Sequence, residues 1–155
     1  MNTDMIWQTE STSSEQTEQL AEKLGRRLRG GEVIELVSDL GGGKTTFTRG
    51  LVRGAGSLDK VASPTFTLSR EYTTSNFTIA HFDFYRLGEA GIMGDELAEI
   101  LADPTYVTVV EWGDVVHDVL PQERLTIRIT LEADGSRKLT LEYAERLAYL
   151  MESLQ

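Results

Sequence analysis

Val33-Ile34-Glu35-Leu36-Val37-Ser38-Asp39-Leu40-Gly41-Gly42-Gly43-Lys44-Thr45-Thr46-Phe47 is the stretch on which the reading of this chain turns. Its first five residues are mostly apolar and rich in β-branched side chains, the composition of a buried strand with one polar interruption. Phe47, Leu51 and Ala55 recur at helical spacing, and Gly54 and Gly56 close that helix. Between strand and helix lies a glycine-rich turn in which each residue type has a task. Glycines let backbone N–H groups close around phosphate oxygens, and the new helix points its positive end at the anion. Lys44 reaches toward β- and γ-phosphates, and the Thr45 hydroxyl suits Mg²⁺. The plain alternative is a surface turn that happens to read Gly-Gly-Gly-Lys. The strand before and the helix after supply the context a phosphate loop requires, so the segment is read as a nucleotide site. Counting back, Ser38 occupies the first position of G-x-x-x-x-G-K-[ST], where glycine is usual. A dinucleotide fingerprint does not fit, because no G-x-G-x-x-G opens a helix.

Upstream, residues 1–11 read as a ragged lead-in. Ser13, Ser14 and Glu15 offer helix-start chemistry, and Thr12 with Glu15 matches a capping box. Leu20, Leu24 and Leu28, with Ala21, give this first helix an apolar face, and Gly30 and Gly31 end it. Downstream, Phe66–Thr74 and Phe77–Tyr85 have strand composition with a Ser75-Asn76 turn between them, which predicts a hairpin. Alternation places Phe77, Ile79, His81, Asp83 and Tyr85 on one face of its second strand. Gly88, Gly91 and Gly94 mark a connection, Asp95–Leu101 a short helix, and Tyr106–Val110 another buried strand running into Glu111-Trp112. Leu125–Leu131 and Leu139–Tyr143 alternate around an Ala133–Ser136 turn, an antiparallel hairpin with one wet face. Leu147, Leu150, Met151 and Leu154 predict a final amphipathic helix. The expected architecture is α/β, a central mixed sheet with flanking helices and antiparallel hairpins, in one domain over 1–155 with its core in about 12–131.

Hydrolysis requires more than a phosphate loop: a second magnesium contact and a group to orient water. Glu111 follows an apolar strand directly, the Walker-B arrangement, and Asp83 lies late in its own strand; the bland reading makes both solvated strand ends. Ser63-Pro64-Thr65-Phe66-Thr67 is a hydroxyl-rich loop suited to sensing a γ-phosphate, or equally a plain capped turn. Trp112 reads as core from composition, with a lid over the site as the alternative. Arg86 reads as a phosphate partner or an ion-pair partner, and His117 as surface or packing.

The 155 residues carry 15 basic and 25 acidic side chains, a formal net charge of -10. That balance argues against a large basic nucleic-acid surface and against anionic membranes. Cysteine is absent, which excludes disulfides, thiolate catalysis and Cys-based zinc sites, and fits a cytoplasmic location. With only His81 and His117, a multi-histidine metal site is excluded as well. No secretory leader is expected at the start, and no apolar run approaches the roughly 20 residues that span a bilayer.

Ser38–Phe47, Ser63–Leu68, His81-Phe82-Asp83-Phe84-Tyr85-Arg86-Leu87 and Val110-Glu111-Trp112 occur in this order at spacing that resembles the TsaE (YjeE) family of bacterial P-loop ATPases, over about residues 12 to 131. The resemblance implies a P-loop α/β domain that hydrolyses ATP to ADP with Mg²⁺, chiefly when bound to the TsaB–TsaD pair. In that system TsaD transfers the threonylcarbamoyl group to tRNA, forming N6-threonylcarbamoyladenosine, and the ATP cycle of TsaE regulates or resets the complex. Carried over by residue, Asp39, Leu40, Gly41, Gly42, Gly43, Lys44, Thr45 and Thr46 would cradle the nucleotide, with Lys44 on phosphate. Thr45 and Glu111 would share Mg²⁺, and Asp83 would position water or metal. Thr65 would sit in the switch-like loop, Trp112 beside the nucleotide, and the helix start around Ser14 would add a further contact. Two departures stand out: Ser38 for the first glycine, and Gly113-Asp114 where the family often has proline and an acid. With the charge of -10, tRNA contact is expected to be indirect at most and no membrane partner is expected, and the isolated protein is expected to be a monomer. The competing readings are a P-loop kinase of a small molecule or protein, and a nucleotide-gated adaptor without turnover.

Overall fold

A stretch such as Val33–Val37, apolar on both sides of the pleat, is stable only where both faces of a sheet are covered. The computed structural model, which describes residues 5–38, 43–61, 69–84, 91–112 and 117–154, places it at the centre of such a sheet. The strands are β1 (Met5–Ser11), β2 (Val33–Val37), β3 (Ser69–Thr73), β4 (Thr78–Asp83), β5 (Tyr106–Glu111), β6 (Leu125–Leu131) and β7 (Arg137–Tyr143). Helices α1 (Ser14–Gly25), α2 (Lys44–Gly54) and α3 (Gly91–Leu101) and a terminal 3₁₀ helix (Glu145–Met151) complete the described elements. The sheet order is β1-β7-β6-β2-β5-β4-β3. The inner strands β6, β2, β5 and β4 are parallel, while β3 pairs antiparallel with β4, β7 with β6, and β1 with β7. This is the α/β mixed sheet with flanking helices and hairpins that the sequence predicts.

Alternation sends the two faces to two apolar clusters. Ile34, Leu36, Ile79, Val107, Val109 and Ile127 meet Leu24, Phe47, Leu51 and Leu150, from α1, α2 and the 3₁₀ helix. On the opposite face Val33, Ala80, Phe82 and Val110 meet Leu97 of α3 and Leu120. Glu35, the polar interruption in β2, is buried on that second face and accepts a 3.0 Å bond from Arg124 Nε. Among the described residues no helix is long and apolar enough to cross a membrane.

Several local expectations are corrected. Residues 5–11 are not a ragged lead-in but strand β1, paired along β7 from Met5↔Tyr143 to Ser11↔Arg137. Along this edge strand Ser11 is buried and Trp7 packs part-buried on the core, while the rest is held by its pairing with β7. The helix cap lies one residue later than the Thr12–Glu15 box: Ser13 Oγ accepts from the Gln16 N–H at 3.1 Å, and Gln16 Oε1 accepts from the Thr12 N–H at 2.8 Å. Helix α1 ends at Gly25, ahead of Gly30 and Gly31. Helix α3 begins at Gly91, so Gly91 and Gly94 belong to it, because packing at Leu97 outweighs glycine's poor propensity. The last helix is 3₁₀ rather than α, with Leu147, Leu150 and Met151 buried. The hairpin strands start at Ser69 and Thr78; Phe66–Leu68 and Tyr85 lie outside the described residues.

Helices α1 and α2 touch backbone to backbone. A Cβ on Gly50 would stand 2.3 Å from Glu18 O, on Gly54 2.1 Å from Glu22 O, and on Gly25 2.2 Å from Leu51 O. Ion pairs Arg49–Glu18 (2.9 Å) and Arg53–Glu22 (3.1 Å) cross the same contact but are solvent-exposed, where such pairs contribute about 0–1 kcal/mol. The glycines therefore set the distance between the helices. In an exposed helix, glycine to alanine gains about 1 kcal/mol of propensity. For Gly54→Ala we expect the opposite sign, an overpacking cost of about 1–3 kcal/mol that lowers the thermal midpoint by several degrees. A midpoint equal to or above wild type would show that α1 moves away without cost.

Candidate functional site

The parallel core brings three strand ends to one rim. In the backbone register, Glu111 at the end of β5 stands opposite Leu36 of β2 and opposite Asp83 of β4. The chain leaving β2 passes through Ser38 to Gly43 and enters α2 at Lys44. The end of β2, from which the chain runs toward α2, thus lies at the same rim as two carboxylates, at the C-terminal edge of a parallel sheet, where ligands of open α/β sheets bind. Asp39, Leu40, Gly41 and Gly42 lie outside the described residues, as do Thr65 with the rest of 62–68, Arg86, and Gly113 with Asp114.

Gly43 precedes α2 with φ 108°, a conformation that L side chains rarely adopt. Its carbonyl accepts the first helical bond, from the Phe47 N–H at 2.9 Å. Lys44 is only 8% exposed; its ammonium donates to the Ser38 carbonyl at 3.1 Å and stands 4.8 Å from the centre of the Trp112 ring. The departure at Ser38 is answered by the backbone. Ser38 has no positive φ, and what it offers Lys44 is a carbonyl that any residue carries. Thr45 and Thr46 follow in the first turn of α2, both half-buried.

Glu111 is 2% exposed and accepts a hydrogen bond on Oε2 from His81 Nε2. Asp83 is partly exposed at the end of β4. Trp112 is the one non-glycine among the described residues with positive φ, 57°. Such a conformation costs on the order of 1–3 kcal/mol and concentrates at functional sites. The residue is neither simply core nor simply lid: it is partly buried against the α3-side cluster while its ring faces Lys44. Ser14 is exposed at the first residue of α1, shortly after Ser11, which pairs with Arg137. His117 is exposed.

Two residues gain a place here that sequence reasoning did not assign. Arg137, at the start of β7, lies against Gly43, with Nε 3.4 Å from where a Cβ on Gly43 would be. In sequence it is a cation at the first position of a hairpin strand, in phase with the apolar Leu139 and Leu141, and only the order β7-β6-β2 brings it to Gly43. His81 was placed on the face of Asp83, but its bond to Glu111 joins neighbouring strands and leaves no local trace.

The donor set suits a nucleotide carrying Mg²⁺. Among the described residues no three His, Cys, Asp or Glu side chains cluster as a metal site. Mg²⁺ bound with a nucleotide keeps several waters and takes one or two protein oxygens plus substrate phosphates. Glu111 and Thr45 carry side-chain oxygens of this type, and Lys44 and the start of α2 carry positive charge for a phosphate.

The family model described as "Threonylcarbamoyl adenosine biosynthesis protein TsaE" matches residues 11–139. The chain is 37% identical over 138 residues to the tRNA threonylcarbamoyladenosine biosynthesis protein TsaE of Bacillus subtilis (strain 168), covering 86% of this chain and 82% of that one. It is 37% identical over 131 residues to the protein of the same name from Treponema pallidum (strain Nichols), covering 84% and 96%. The crystal structure of Bacillus subtilis YdiB superposes with a TM-score of 0.79 at 34% identity, over 99% of this chain and 95% of that one.

Proposed function

Because the chain belongs to the TsaE family, we propose that it is the ATP-hydrolysing accessory subunit for N6-threonylcarbamoyladenosine formation on tRNA, acting in the cytoplasm with TsaB and TsaD. The observation that carries the ATPase reading is the juxtaposition at the sheet rim: Lys44 at the start of α2, beside a left-handed Gly43, with Glu111 at the end of the neighbouring parallel strand. Lys44 exchanges the Ser38 carbonyl and the Trp112 ring for phosphate oxygens. Arg137 adds a second cation beside Gly43, and the positive end of α2 faces the same anion. Thr45 and Glu111 would hold the Mg²⁺, whose charge would offset that of the phosphates. Asp83, adjacent to Glu111 in register, would help position the attacking water or the metal. Trp112 bounds the site on the α3 side.

The same reading explains a need for partners. The chain's net charge of -10 opposes a direct grip on tRNA, so tRNA contact runs through TsaB–TsaD. The test is the rate of ATP hydrolysis by the purified protein with and without TsaB–TsaD. We expect a slow rate alone and a rise of at least about tenfold, the equivalent of about 1.4 kcal/mol in barrier, on adding the pair. Absence of both binding and stimulation would remove this reading. Transfer of labelled γ-phosphate to an acceptor other than water would replace it with a kinase.

A further inference from the structure

His81 is fully buried, at 0% exposed, and a buried imidazole must satisfy both ring nitrogens. Its Nε2 meets Oε2 of Glu111, and its Nδ1 lies 3.4 Å from the Tyr72 hydroxyl. The three side chains come from β3, β4 and β5, which are successive strands of the sheet. Tyr72 pairs with Ile79, two residues before His81, and His81 pairs with Val109, two residues before Glu111. All three therefore project on the same face, the one covered by α2. An ionised Glu111 accepts only, so Nε2 carries the donated proton, and in the neutral ring Nδ1 then accepts from the Tyr72 hydroxyl. The line is held by laddered backbone rather than by loops.

From this geometry we infer that His81 is a positioning residue for the metal-binding acid. It holds Oε2 of Glu111 and so commits the other oxygen, Oε1, to the cation at the phosphate loop, while Tyr72 fixes the orientation of the imidazole. The inference rests on the ATP–magnesium reading of the site. It assigns the buried histidine the task that outer partners perform around metal ligands, where their loss typically weakens metal binding by about 10- to 100-fold. A histidine that only satisfied a buried carboxylate would affect stability and nucleotide binding together, with no selective effect on the metal.

The test measures Mn²⁺ affinity by electron paramagnetic resonance in the presence of a non-hydrolysable ATP analogue. Affinity for the analogue is measured separately in EDTA, and thermal melts report folding. Glutamine at position 81 can place an amide donor where Nε2 stands, whereas asparagine reaches only as far as Nδ1. His81→Asn should weaken Mn²⁺ binding about 10- to 100-fold with metal-free analogue binding unchanged, and His81→Gln should recover most of the loss. Wild-type Mn²⁺ affinity in His81→Asn, equal losses in the two variants, or a parallel loss of metal-free analogue binding would each overturn the inference. Should His81→Asn fail to fold, Tyr72→Phe keeps the ring and removes the hydroxyl. Weakened Mn²⁺ binding there supports the line of bonds, and unchanged binding overturns it. If the wild-type protein gains no analogue affinity from the metal, the ATP–magnesium reading falls and takes this inference with it. Metal dependence in wild type with unaffected variants removes the inference alone.

Discussion

Lys44→Ala is expected to lose nucleotide binding while remaining folded. In the structure the ammonium is nearly buried and is held by the Ser38 carbonyl and the Trp112 ring. Removing it deletes these two contacts but also relieves the desolvation of a cation, so the melting point without nucleotide should change little. Its contacts with phosphate are charge-assisted, about 1.5–3 kcal/mol, and their loss weakens ATP binding on the order of 100-fold. Arg137 does not replace it, because it approaches Gly43 from β7 rather than from the first turn of α2. Ligand-induced stabilisation gives a clean readout. At an ATP concentration about 100 times the wild-type Kd, binding adds about 2.7 kcal/mol, raising the midpoint of a domain this size by roughly 5–11 °C. For Lys44→Ala the same concentration adds about 0.4 kcal/mol, roughly 1 °C. A full ATP-dependent shift in the variant would remove Lys44 from the phosphate site.

The parts of this molecule legible in the sequence are those whose cause is local. A β-branched run and a helix-spaced Phe47 and Leu51 lie within one short stretch, and they become β2 and α2. Glu111 was legible for the same reason, as an acid directly after the apolar strand that became β5. What stayed hidden depends on which strands become neighbours. Arg137 reaches the loop only because β7 and β6 lie beside β2, and His81 meets Glu111 only because β4 lies beside β5. Strand β1 was missed because an edge strand needs backbone partners more than a periodic apolar face. Gly50 and Gly54 carry a double meaning that composition cannot resolve: Gly54 is the last residue of α2, yet its absent side chain also admits the backbone of α1.

Glu111→Gln should keep ATP binding and lose hydrolysis, by about 100- to 1000-fold, the scale on which removal of one transition-state charge partner acts. The glutamine fills the same volume at the end of β5, so the register with Leu36 and Asp83 and the packing of the rim are retained. Its carbonyl oxygen can still accept from His81 Nε2, so no buried donor is stranded. Alanine at this position would leave that donor unpaired beside a fully buried ring, a cost of about 1–3 kcal/mol that would confound the kinetics with instability. What glutamine removes is the negative charge that, in the proposed reading, helps Thr45 hold the cation. Metal-free nucleotide affinity depends on Lys44 and the α2 N-terminus, and so should stay near wild type, while Mn²⁺ affinity in the nucleotide complex falls. The rates are to be compared with TsaB–TsaD present, where turnover is fast enough for the loss to be read. The outcome also separates an ATPase from an adaptor that binds ATP without turning it over, since only an ATPase has a rate to lose. Equal hydrolysis by Glu111→Gln and wild type would take the carboxylate out of the reaction, and its contact with His81 would then be packing chemistry of the sheet.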